Sequence, residues 1–212
     1  MNFPLLLLTS IIAPLINGQY EGTCGRKFVQ TLPWIDLDKF TANTYKYLFF
    51  PDHPSFFEVS SIVVSFDELS KNLYNITVTS FLGEIKSVTH YKQLYLQNAR
   101  IYEIQQDEYG SDTVPTYQVK VYASGGDLYN KYNYFAYYRC KNNGSVYDNC
   151  GEIPEQDFRF VAVRIGYCIT KKDIDNILQV DKKWNFNGGF IMSPNYGPIC
   201  YDDDNKYKQD FI

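Results

Sequence analysis

Residues able to do chemistry are few and scattered. The 212-residue chain has five cysteines, Cys24, Cys140, Cys150, Cys168 and Cys200, and only two histidines, His53 and His90. No C-x-x-C pair occurs, so neither a zinc site nor a thiol redox centre is indicated. His53 stands in the loop Pro51-Asp52-His53-Pro54 and His90 falls mid-strand, and neither has a motif neighbour that would orient it toward a nucleophile. The sequence therefore predicts no catalytic residues and no metal, and reads as a non-enzyme. What it holds in quantity is rings, 20 Tyr and 15 Phe. Rings fill an interior, and each buried phenol still needs a hydrogen-bond partner, so the chemistry on offer is apolar contact with a few phenolic hydrogen bonds.

Strands must position those rings. β-prone runs separated by short polar connections fall at 45–50, 57–66, 73–81, 85–96, 99–105, 116–123, 132–140 and 158–165, which makes eight. The last of these needs burial on both faces, one bearing Phe158, Phe160 and Ala162 and the other Val161, Val163 and Ile165. It leads into Thr170-Lys171-Lys172-Asp173, a capping-box start for a helix whose Ile174, Ile177, Leu178 and Trp184 share one rough face. An all-β fold meets these requirements: an eight-stranded antiparallel up-and-down barrel with one C-terminal helix packed on its outside. Closure also removes exposed strand edges.

Residues 1–18 read as a signal peptide removed on export, because the apolar run Phe3 to Ile16 is too short to span a bilayer. No later segment is long and apolar enough to span one either. The rest, 19–212, is expected to be one domain with a polar tail at 202–212, secreted and monomeric. A net charge of −4 and a pI near 5.2, with no basic stripe, argue against a nucleic-acid partner. Two sequons, at Asn75 and Asn143, fit export as glycosylation sites. A glycan on Asn75 would turn Tyr74, Ile76 and Val78 inward. Five cysteines in an exported chain suggest two disulfides and one remaining thiol.

Several features in order resemble the lipocalins, and within them the insecticyanin, bilin-binding and apolipoprotein D-like group. They are Asp36-Leu37-Asp38-Lys39-Phe40 before the first strand, Pro51 closing it, Asp127 and Asn133-Tyr134 leading to Cys140, and Val163-Arg164 before the helix. The family's G-x-W motif falls on Ala42-Asn43-Thr44, so its glycine and its barrel-plugging tryptophan are both absent. The resemblance makes Arg164 the arginine that closes the barrel end, with Tyr45, Tyr47 or Trp34 as replacement partner; the alternative is an ordinary surface arginine. It also implies a Cys24–Cys140 disulfide. Cys200 matches the family's last cysteine, but Val59-Ser60-Ser61 stands where its usual partner would be, which leaves Cys168 as the substitute. Cys150 is then free or in exchange with Cys140. The prostaglandin-isomerising members use an interior thiol, and no cysteine here falls inside an early strand.

A barrel of eight strands encloses side chains or one small ligand. Placing Gln118, Lys120, Asn133 and Arg139 in solvent turns Tyr117, Val119 and Val121 inward on the sixth strand and Tyr134, Ala136 and Tyr138 inward on the seventh. With Tyr74, Ile76, Val78, Phe158 and Phe160 these form the expected ligand-binding set. The resulting reading is a carrier of a small hydrophobic molecule, a bilin, retinoid or fatty acid, and the resemblance admits biliverdin or another hydrophobic chromophore. The other reading is a secreted storage, structural or interaction protein whose barrel is filled by its own rings.

Overall fold

The computed structural model describes residues 29–126, 131–142 and 157–200. The expected signal peptide, Cys24, Asp127, Asn143, Cys150 and the tail 202–212 lie outside these residues. A short helix, α1 (Leu37–Thr41), is capped by the Asp36 side chain, which accepts from the Lys39 N–H. The strands are β1 (Tyr45–Pro51), β2 (Ser61–Ser70), β3 (Leu73–Leu82), β4 (Ile85–Tyr95), β5 (Arg100–Gln106), β6 (Asp112–Gly125), β7 (Tyr134–Asn142) and β8 (Arg159–Arg164). After them come α2 (Lys171–Trp184) and a short β9 (Phe190–Met192).

Neighbours in the chain pair antiparallel from β2 through to β8, and β1 pairs with β8. The pairs Tyr45↔Val64 and Lys46↔Val63 then join β1 to β2 and close the eight-stranded up-and-down barrel. β9 adds to the far end of β1 through Phe49↔Met192 and Pro51↔Phe190, a strand the sequence did not announce. Asn195 N–H and the Ser193 hydroxyl both donate to the Ser60 carbonyl, so the segment after β9 reaches across the β1–β2 join.

The second strand begins four residues later than the sequence suggests. Pro54 opens a 3-10 turn (Pro54–Phe56), in which His53 Nδ1 accepts from the Ser55 N–H. Proline cannot donate to a ladder, so the chain turns here, the bend continues through Phe57 and Glu58 at the head of the β-prone run, and Phe57 is left 59% exposed.

Helix α2 lies on the outside of the barrel. Its capping box forms as the sequence predicts, with Asp173 N–H donating to Thr170 Oγ1 and the Asp173 side chain accepting from the Thr170 N–H. Ile177 is fully buried in the outer-wall cluster that also holds Leu48, Tyr122, Tyr138 and Val161. Leu178 does not belong to this face and is 41% exposed. The buried stripe runs through Ile174, Ile177, Val180 and Trp184, and Leu178 lies off it, one position past Ile177. Asn185 ends the helix in the left-handed conformation, and Cys168 and Cys200 form a disulfide that ties the chain beyond β9 to the start of α2.

Candidate functional site

The closed end of the barrel is plugged by Phe40. It projects from α1, and its ring meets Phe135 at 4.7 Å, Phe66 at 5.4 Å, Tyr132 at 5.7 Å and Tyr45 at 5.8 Å between centroids. This phenylalanine does the filling expected of the absent tryptophan, and sequence reasoning missed it. The signal was available, since Phe40 ends the capped run that begins at Asp36. Tyr45, fully buried beside it, donates its hydroxyl to the Phe40 carbonyl. Burial raises its pKa, with Asn43 and Arg164 pulling the other way. Arg164 is paired with Tyr45 across β1–β8, and its Nε donates to Asn133 Oδ1 at 2.7 Å. It is half-buried at this end rather than a plain surface residue, and its Nε donates to an amide oxygen instead of facing a ring.

Deeper in, a charge pair lies along the inner wall, bridging β5 and β7 over β6. Glu103 on β5 is 5% exposed. Its Oε1 accepts from Arg139 Nε at 2.8 Å and lies 2.6 Å from Arg139 Nη2, while its Oε2 accepts from Gln93 at 2.6 Å. Tyr95 in turn donates to Gln93 Oε1 at 2.9 Å. The Arg139 guanidinium stacks on Tyr117, 3.5 Å from its centroid, and stands 5.1 Å from that of Tyr91. Burial works against its charge, yet the attraction of Glu103 and the neighbouring phenols holds its pKa well above the usual arginine value. Beside it, the hydroxyls of Tyr47 and Tyr137 hydrogen-bond to each other, and burial pushes the Tyr47 phenol up to about 12.

The structure brings together Tyr74, Ile76, Val78, Tyr117, Val119, Val121 and Phe160 of the expected set, all within the lumen cluster, with Phe158 partly buried at its edge. It does not bring in Tyr134, Ala136 and Tyr138. Strand β7 has the opposite phase, with Phe135, Tyr137 and Arg139 inside and those three on the outer wall beneath α2. The inversion has one cause. A lone arginine belongs in water, but Glu103 supplies its counter-charge inside, so Arg139 and everything alternating with it turn inward. Asn75 stands on the outer face of β3 and is half-buried.

At the mouth, Phe56 from the 3-10 turn stacks on Phe50 at 5.9 Å and meets Phe160 edge-on at 5.6 Å. Between this lid and the Phe40 plug remains a cavity of about 30 Å³, room for one water, among whose walls are Phe40, Tyr47, Gln93, Glu103, Phe135 and Tyr137. A second, larger recess of about 740 Å³ opens to solvent on the outside, between Lys46, Ser60 and the chain near Tyr196. Among the described residues, no three His, Cys, Asp or Glu side chains cluster to hold a metal.

No protein-family model and no curated protein matches the sequence. Solved structures do match in shape. The tryptamine complex of the amine binding protein of Rhodnius prolixus is similar over 86% of this chain and 92% of that one, at 11% identity and a TM-score of 0.54. A biogenic amine-binding protein, solved as its selenomethionine derivative, is similar over 82% and 90%, at 11% identity and a TM-score of 0.53. The likeness establishes the fold, a closed eight-stranded up-and-down barrel.

Proposed function

We propose that this chain is an exported carrier that holds a small, largely hydrophobic molecule inside the barrel. The observation that carries the reading is the lumen itself: a ring-lined interior, plugged at one end and lidded by a single side chain at the other, with a hydrogen-bonded polar cluster at mid-depth. Side chains that only filled space would not need Glu103, Arg139 and Gln93 there, since burying charge costs more than burying an apolar residue of the same size. The two similar structures, of proteins named for binding amines, support a binding role over catalysis. Within the fold, the order of sequence features favours the insecticyanin, bilin-binding and apolipoprotein D-like group.

The cavity of about 30 Å³ also favours the second reading, a secreted protein whose barrel is filled. Under the carrier reading, a ligand enters by displacing Phe56 and the rings behind it. Titrating the secreted full chain with biliverdin, retinol and a fatty acid, followed by calorimetry, separates the two. Micromolar binding of any of them supports the carrier. If none binds below about 100 µM, roughly 5.5 kcal/mol, the filled barrel stands.

A further inference from the structure

The lumen's polar atoms restrict what such a ligand can be. Ser80 lies on the inward face of β3, opposite Ile62, and Gln105 on the inward face of β5, opposite Tyr91. Ser80 Oγ and Gln105 Oε1 are buried without a hydrogen-bond partner. Native interiors leave few such atoms, and each one calls for a cause. Glu103, which does line the cavity, adds an acceptor: its Oε2 takes one hydrogen bond, from Gln93, where a carboxylate oxygen accepts two.

The charges are already balanced. Glu103 and Arg139 are the ionic groups of the lumen among the described residues, and they neutralise each other. A third charge brought inside would have no counter-ion and would shed its water for nothing in return. Gln105 Oε1 and Glu103 Oε2 need protons from the guest but not its charge, and the Ser80 hydroxyl can accept one as well as donate its own.

We infer that the barrel selects an uncharged ring or isoprenoid-like molecule that carries hydroxyl or amide N–H donors, which pair with Gln105, Ser80 and Glu103. This rests on the carrier reading and narrows it against bilin and fatty-acid anions and against ammonium cations alike.

Three indoles of one shape provide the test: neutral tryptophol, cationic tryptamine and anionic indole-3-acetate, titrated calorimetrically into the full chain at pH 7. The neutral probe is expected to bind at least tenfold more tightly than either ion. An ion binding as well as tryptophol, or micromolar binding of biliverdin or a fatty acid, overturns the inference while leaving the carrier intact. Binding of nothing in either panel removes both. The variant Gln105→Leu, which leaves the charge pair alone, is expected to keep or raise the melting temperature and weaken tryptophol about five- to tenfold. A lowered melting temperature with unchanged affinity would make Gln105 structural and overturn its assignment. Glu103→Gln leaves Arg139 without its counter-charge, and is expected to bring indole-3-acetate level with or ahead of tryptophol; an unchanged order of the three probes counts against the charge argument.

Discussion

Arg159 shows how much one residue organises on the outer wall. Only 2% exposed, it pairs with Asp181 of α2 at 2.5 Å, donates to the Gly188 carbonyl at 2.6 Å, and is flanked by the rings of Phe186 and Phe190. Helix, following loop and barrel meet on one guanidinium. Replacing Asp181 by Ala strands that charge, and urea denaturation should show a loss of about 3 to 5 kcal/mol. Joint replacement by Arg159→Met and Asp181→Leu should recover most of it. The tyrosines give a second prediction at this scale. Burial raises the pKa of Tyr45, Tyr47, Tyr91, Tyr95, Tyr122 and Tyr137 above their unfolded value of 10.0. Above that value the unfolded chain gives up protons that the folded one keeps, so stability is fully present below pH 10 and falls as pH rises. The tyrosinate absorbance of these six should therefore appear only together with unfolding, and their ionisation within the intact fold would contradict this.

Among the elements, the 3-10 turn 54–56 matters most to access. Phe56→Ala removes the lid ring, and loss of a buried phenylalanine costs about 3 to 5 kcal/mol. Stopped-flow mixing should nevertheless show faster association with any ligand the wild type binds, because the mouth no longer has to open. An unchanged association rate would place the entrance elsewhere. Strands β3 and β6 were legible in the sequence because their alternation is plain: Tyr74, Ile76 and Val78 against Asn75 and Thr77, and Tyr117, Val119 and Val121 against Gln118 and Lys120, although those last two are buried on the outer wall and not in solvent as expected. Strand β7 was not. In Tyr134-Phe135-Ala136-Tyr137-Tyr138 both faces are apolar, because one lines the lumen and the other carries α2, so its phase rested on Asn133 and Arg139, neither of which lies in solvent. The residue that decides where Arg139 points, Glu103, lies 36 positions away and says nothing locally. Phe56 was missed because it falls between the loop that ends at Pro54 and the β-prone run that starts at Phe57, where neither pattern says which way its ring points.

For the molecule as a whole, the Cys168–Cys200 disulfide spans 32 residues that include α2 and β9. A loop of that length restricts the unfolded chain by about 3 to 4 kcal/mol in the chain-entropy model. Cys200→Ser should lower the melting temperature, and should loosen β9 before the barrel, visible as faster amide exchange at Phe190 to Met192 than in β3 to β6.

The join between β1 and β2 has a consequence for biosynthesis. Two residue pairs hold it directly, and the remaining stitches to Ser60 come from Ser193 and Asn195, near the other end of the described chain. A ribosome delivers β1 early, yet its partners β8 and β9 emerge more than a hundred residues afterwards. The meander β2 to β7 can assemble hairpin by hairpin as it appears, while the first strand must wait with one edge unoccupied. Nascent chains stalled before Ser193 should thus expose an open sheet to chaperones, and release of the final segment should be the moment at which the cylinder zips shut.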